Sequence, residues 1–236
     1  MNSLAARLLA PVLALLVPFA VRADGLGYLY FAAKLTSDYR FHGFSESNRR
    51  PSVQGNIHWV APDNWYLGAF ASGVNFRDGS TSYEIDLYGG RHLPLGASDL
   101  NLEALTYTFP DKAGPTPTYN AVQLSAELTH PFGALKLSGK LAGKQAHAGL
   151  GYEADVSASW AVLPWLTAGG TAGYQHGARS FPGTNWELGL TAAWDSHWLF
   201  DARYSGTDRS KARCYFTNWC ATGLSATVTY QFGFSL

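Results

Sequence analysis

The sequence predicts an all-β fold: a transmembrane antiparallel up-and-down β-barrel of about twelve strands. Three observations lead there. Apolar and polar residues alternate with a period of two along most of the chain. The connections between alternating segments are short and long in turn. Six of the eight tryptophans flank the short connections.

The alternation is clearest near the C-terminus. Leu224, Ala226, Val228, Tyr230, Phe232 and Phe234 alternate with Ser225, Thr227, Thr229, Gln231, Gly233 and Ser235. Trp186, Leu188, Leu190, Ala192 and Trp194 do the same against Glu187, Gly189, Thr191, Ala193 and Asp195. A strand puts successive side chains on opposite faces, so each segment has one apolar and one polar face. Twelve such segments are expected near 28–44, 52–61, 65–76, 82–93, 99–109, 118–130, 134–145, 149–162, 165–176, 185–195, 198–207 and 222–235. The pattern is weakest in 65–76 and 99–109, where Leu105 and Tyr107 share a face with Glu103.

Short connections fall at 62–64, 94–98, 131–133, 163–164 and 196–197, and longer or more polar ones near 45–51, 77–81, 110–117, 177–184 and 208–221. The short connection at 146–148 breaks the rule. Short turns on one rim and longer loops on the other are the habit of bacterial outer-membrane barrels. An even strand count then puts both termini on the short-turn, periplasmic side. Trp59 and Trp65, Trp160 and Trp165, and Trp194 and Trp198 flank three of the short turns. An indole is apolar with one N–H donor and prefers the membrane interface, so these six mark a rim. In hydrocarbon an open sheet edge has no water to bond, so the strands must close into a barrel.

The N-terminus fits export. Residues 1–23 read as a cleaved signal peptide, with Arg7 ahead of an apolar run at 8–20 and small residues at Val21 and Ala23 before the cut. The barrel domain is then 24–236. It carries 15 Lys and Arg against 17 Asp and Glu, a net charge near −2 that offers nothing to nucleic acid. The location expected is the bacterial outer membrane, with partners in membrane lipid and lipopolysaccharide, the barrel-assembly machinery and small polar solutes. The C-terminal aromatics Tyr230, Phe232 and Phe234 resemble the recognition signal of that machinery, with Ser235-Leu236 replacing the usual terminal Phe. The two cysteines, Cys214 and Cys220, read as a disulfide across a small loop in an exported protein. A metal or redox pair is the alternative, without CxxC spacing or a nearby His.

If the apolar faces meet lipid, parity gives the lumen. Its expected selectivity residues are Lys34, Asp38, Arg40, His42, Glu84, Asp86, Lys136, Lys140, Lys144, Glu153, Asp155, Asp201 and Arg203, with Glu103, Glu127 and Glu187 beside them. A Lys or Arg on the lipid face near the midplane costs about 2–4 kcal/mol, which decides the direction. Lys136, Lys140 and Lys144 make a basic stripe on one strand, and Glu84 with Asp86 an acidic patch. Such groups either brace the wall as salt bridges or form a selective polar pathway. Twelve strands enclose more room than eight, which already close around a packed or single-ligand interior.

Leu35-Thr36-Ser37-Asp38-Tyr39-Arg40-Phe41-His42-Gly43-Phe44-Ser45-Glu46-Ser47, followed by Pro51-Ser52-Val53-Gln54-Gly55, resembles the opening motif of the TorF-like porins, also catalogued as the bacterial family Gcw_chp. Tyr83-Glu84-Ile85-Asp86-Leu87-Tyr88-Gly89-Gly90 resembles that family's acidic strand, and Trp65-Tyr66-Leu67-Gly68 and Leu105 through Pro110 fit too. The resemblance spans the chain after the signal peptide. It implies an outer-membrane barrel and a porin, without a substrate. His42 stands where the motif leads one to expect a second Arg, which makes the charge there depend on pH.

No GxSxG, HExxH, P-loop or GxGxxG is present, and no cofactor, metal or catalytic set is expected. The primary expectation is a channel for passive diffusion of small polar solutes. One alternative is a closed structural barrel acting through its outer loops, with the segment Tyr215-Phe216-Thr217-Asn218-Trp219 as contact surface. A rim enzyme using His147 or His176 is another.

Overall fold

The computed structural model describes residues 25–110, 119–177 and 180–236. The expected signal segment and the loop at 111–118 lie outside the described residues. The strands, in chain order, are β1 (Tyr28–Thr36), β2 (Arg40–Phe41), β3 (Phe44–Ser45), β4 (Ser52–Val60), β5 (Trp65–Gly73), β6 (Tyr83–Leu95) and β7 (Ser98–Thr108). They continue with β8 (Ala121–Phe132), β9 (Leu135–Ala146), β10 (Gly149–Leu163), β11 (Leu166–Gly177), β12 (Ser180–Ala193), β13 (Trp198–Thr207) and β14 (Gly223–Ser235). One 3-10 turn, Lys211–Cys214, lies between β13 and β14.

β1 and β4 to β14 form a closed twelve-stranded antiparallel barrel in sequence order. β2 and β3 are a separate two-stranded hairpin. Closure comes from β1, which pairs with β4 on one side and with β14 on the other, from Tyr28 against Ser235 to Thr36 against Thr227. No barrel strand is left with an unpaired edge, which is the condition for a sheet in oil. The barrel strands are nine to fifteen residues long, against the 9–11 or so that a tilted strand needs to cross a bilayer.

The parity reading holds around the wall. Val53, Leu141 and Leu224 point outward at 70, 68 and 69 % exposure, while Gln123, Glu84 and Glu153 point inward at 1, 2 and 2 %. A soluble domain shows the reverse, and large apolar areas left in water mark a surface meant for another phase. The outward belt and the buried carboxylates are one fact seen from two sides.

Every short turn is tight. Asn64, Gly96 and Gly133 take positive φ there, the conformation such two- and three-residue connections require. The first and last described residues of the barrel lie at this end, where the Leu26 N–H donates to the Leu236 carbonyl and the Leu236 N–H to the Gly27 carbonyl.

Two expectations about element ends are corrected. The first strand does not run to residue 44: it stops at Thr36, and residues 37–51 leave the wall. β12 begins at Ser180, not near 185, so the connection expected at 177–184 shrinks to two residues, with Gly177 paired to Ser180. Pro182 is tolerated because pairing with β13 starts only at Asn185.

Candidate solute pathway

The segment 37–51 turns inward and crosses the barrel. Its hairpin closes at His42 and Gly43, with φ of 48° and 74°, the pair of positive values that a two-residue turn of this hand demands. A Cβ on Gly43 would sit 2.3 Å from the Gly206 carbonyl oxygen of β13, so the hairpin lies tight against that wall. Asp38 organises the base. It accepts from the Ser45 hydroxyl (2.5 Å) and from Arg40 Nη1 (3.0 Å), while the Tyr39 N–H donates to Ser47 Oγ (2.9 Å). Asp38, Arg40 and His42 were expected on the wall of the first strand. They do face the lumen, but from this inserted hairpin.

The hairpin is tied to three sides. Arg40 Nε donates to Ser205 Oγ on β13 (2.9 Å), and its Nη2 to the Ala221 carbonyl (2.9 Å). The Tyr39 hydroxyl donates to Glu84 on β6 (3.2 Å). His42 reaches β10, with Nε2 3.5 Å from Glu153 and Nδ1 3.9 Å from Asp155. β10 lies five strands from β1 around a ring of twelve, so this contact spans nearly the full width.

Glu153 is the hub of the far wall. Lys140 and Lys144 of β9 donate to its two oxygens at 2.6 and 3.1 Å. Lys144 also lies over the Phe41 and Tyr107 rings, at 5.5 and 4.9 Å, a favourable place for a cation. Ligand atoms of His42, Glu153 and Asp155 lie within 4.8 Å of one another, a spacing compatible with a metal ion. Both Glu153 oxygens already accept from the Lys140 and Lys144 ammonium groups, so the carboxylate is ion-paired within the wall and His42 rests against it. His42 sits on the hairpin outside the barrel strands. Burial pushes its imidazole down to about 4, against the opposing pull of Glu153 and with Lys144 and Lys140 adding to the drop. It is therefore neutral near pH 7.

Toward the short-turn end the lumen opens. A cavity of about 310 Å3 is lined by the hydroxyls of Ser138, Ser157, Ser159, Thr167, Thr171 and Thr191, with Lys136 and Arg203. Arg203 is held by Asp201 (2.7 Å), Glu187 (3.4 Å) and Thr191 Oγ1 (2.9 Å). Lys34 faces inward from β1 within electrostatic reach of Asp201. The predicted residues thus fall into two groups. The hairpin gathers Asp38, Arg40, His42, Glu84, Lys140, Lys144, Glu153 and Asp155. Lys34, Lys136, Asp201 and Arg203 stand apart, nearer the short turns. Asp86 stays on its wall, accepting the Thr108 N–H at 3.3 Å.

A second wall is not visible in the alternation of the sequence. On β4 to β6, His58 stacks between Tyr66 and Tyr88, with centroids at 5.3 and 5.7 Å, and Tyr66 meets His92 at 5.3 Å. Their hydroxyls are satisfied: Tyr66 donates to Asn101 (2.8 Å) and Tyr88 to Asn56 (2.9 Å). The signal was in the glycines. A Cβ at Gly68 would fall 2.3 Å from Tyr88, and one at Gly90 2.5 Å from the Tyr66 oxygen, so these rings lie flat only because both positions lack a side chain.

At the long-loop end Cys214 and Cys220 form the expected disulfide, Cα to Cα 6.0 Å. Within its loop Trp219 is buried and turned inward, its indole N–H donating to Asn48 (2.8 Å). Tyr215 and Phe216 remain exposed. His176 lies exposed, stacked on Tyr152 at 5.5 Å.

The family Gcw_chp, described as a bacterial protein of unknown function, matches residues 26–234. No curated protein matches the chain by sequence. Among solved structures it is similar to the KdgM porin, at 10 % identity and a TM-score of 0.59, over 88 % of this chain and 99 % of that one. It is also similar to the NanC porin, at 10 % identity and 0.57, over 86 % and 98 %. A third is the COG4313 outer membrane channel from Pseudomonas putida F1, at 11 % identity and 0.52, over 92 % and 99 %. At these identities the likeness is one of fold.

Proposed function

This chain belongs to the Gcw_chp family of bacterial proteins of unknown function, and from that premise we propose that it is a narrow outer-membrane channel for passive diffusion of small polar solutes. The observation that carries the reading is the hydroxyl-lined cavity of about 310 Å3 below the hairpin. Hydroxyls replace a solute's hydration water without demanding one sign of charge, and a structural plug has no need of such space. In this reading the hairpin is the constriction, held by hydrogen bonds from Tyr39 and Arg40 and by polar contacts of His42 and Phe41 with Glu153 and Lys144. Such contacts exchange readily with water, so a polar solute can compete for them.

The fold neighbours support a pore, and one of them is the KdgM porin in complex with disordered oligogalacturonate. Here Lys140 and Lys144 are balanced by Glu153, and Arg203 by Asp201 and Glu187. The mixed lining favours small solutes of either sign and uncharged polyols over a polyanion. Export by the 1–23 signal peptide, insertion by the assembly machinery and contact with lipopolysaccharide complete the reading.

Purified protein in planar bilayers is expected to give small, reproducible conductance steps, and liposomes carrying it to swell in small sugars. Absence of both would sink the channel. A closed barrel acting through its loops is the second reading, favoured by the number of bonds that hold the hairpin across the lumen. It requires silence in bilayers that persists when the hairpin is intact and returns to conduction when it is removed.

A further inference from the structure

Above the hairpin, at the long-loop end, lies a second cavity of about 280 Å3. Ligand pockets run from roughly 300 to 1,000 Å3, so this one has room for a single compact ring. Two aromatic walls enclose it. Phe76, from the β5–β6 connection, packs edge-on against Tyr119, just before β8, at 4.9 Å. Phe44 packs edge-on against Trp219, from the β13–β14 connection, at 5.5 Å. β8 and β14 stand six strands apart on a ring of twelve. The two walls therefore come from opposite sides of the mouth, with the ring of Phe41 on the hairpin between them.

The charge of the lining is unbalanced. Arg77, Arg209 and Arg213 face Glu46 and Asp78, while Lys144 is already paired with Glu153. The Asp78 carboxylate is engaged by its own loop, accepting from the Ser80 and Thr81 N–H groups (3.1 and 2.8 Å) and the Thr81 hydroxyl (2.6 Å). Arg209 is buried, and that burial pushes its guanidinium below the usual range, with Asp208, Tyr215 and Glu46 acting the other way. An anion entering here would meet the exposed Arg77 and Arg213 at the rim and the buried Arg209, each able to give a charge-assisted bond.

We propose that this vestibule binds a ring-bearing carboxylate from outside, its ring between the Phe76–Tyr119 and Phe44–Trp219 walls and its carboxylate toward the arginines. Aromatic faces take either a planar ring or the C–H face of a sugar, so an aromatic acid and a uronic acid share the chemistry. The site goes beyond the channel reading, since it holds equally in a closed barrel.

Calorimetric titration of the full protein in detergent tests it with benzoate and glucuronate, against benzyl alcohol, glucose, benzylamine and acetate. At least one ring carboxylate is expected to bind with a Kd near or below about 1 mM. The neutral, cationic and ringless probes are expected to bind at least about tenfold more weakly. Benzoate alone would identify the ligand as planar, glucuronate alone as a sugar acid. Arg77→Gln and Arg213→Gln, both on the rim, should each weaken binding by about tenfold, and Phe76→Leu should weaken it with the arginines intact. Equal binding of benzyl alcohol and benzoate would overturn the proposal. So would the absence of carboxylate binding in protein that keeps its β-sheet circular dichroism. Neither outcome touches the bilayer experiment, so the two readings fail separately.

Discussion

The two ends of the lumen are built from the same inward parity and end up unlike. In the long-loop half, the hairpin at 37–51 narrows the bore, and polar groups there are matched: Asp38 with Arg40 and Ser45, Tyr39 with Glu84, Glu153 with two lysines. In the short-turn half, the wall presents small hydroxyls and β11 glycines to an open cavity. The contrast teaches that a barrel of this size is not narrowed by its wall. The wall supplies partners, and one inserted turn decides how much of the bore is left.

Removing the inserted turn should therefore have the largest effect. Replacing residues 38–50 by a short Gly-Ser linker leaves β1 and β4 paired and is expected to raise single-channel conductance several-fold. If conductance does not change, the hairpin is not the constriction. Next comes its anchor on the far wall. Glu153→Gln removes the carboxylate that both Lys140 and Lys144 donate to, a loss of about 3 kcal/mol by analogy with broken buried pairs. It should appear as a lower urea midpoint and as a shift of ion preference toward anions.

The disulfide acts one step further away. Cys214→Ser with Cys220→Ser removes a constraint worth roughly 2 kcal/mol by chain entropy. Because Trp219 bonds Asn48 and its carbonyl accepts from the Ser45 N–H, this double variant should also show noisier currents. A quiet, unchanged trace would detach that loop from the hairpin.

The smallest effect is that of pH. His42 is neutral in place, its value about 4, whereas a released hairpin would titrate near 6.5. Release then takes up a proton, so seating is favoured above pH 6.5 and weakens as pH falls toward 4. At pH 5 the difference is about 2 kcal/mol. Openings should lengthen between pH 7 and pH 5, and His42→Asn should abolish that trend. An equal response in the variant would move the titration elsewhere.

How much of this could be read in the chain follows from what a period of two can report. All twelve wall segments were legible, because each has one face in oil and one in the lumen. The hairpin was not, because Asp38, Arg40 and His42 continue the alternation of β1 without a break while the backbone turns inward. The clue was His42-Gly43 between two phenylalanines, a two-residue turn signal. The weak alternation of 65–76 and 99–109 also has a cause. Tyr66, Phe70, Leu105 and Tyr107 are inward-facing apolar groups that pack against the hairpin or one another. Pairings such as Lys144 with Glu153 join neighbouring strands at heights that composition does not encode.

The seam between β1 and β14 carries a last consequence. The Tyr30 hydroxyl donates to Gln231, and Thr227 donates to Thr36 across it, so the first strand made waits for the last one. Until the final thirteen residues of β14 arrive, two ribbons of unsatisfied amides stand open along the whole height of the wall. Such edges recruit foreign chains. A message cut short anywhere upstream would thus yield an adhesive sheet, never a smaller cylinder, and the cell must shelter the nascent chain until its two ends meet.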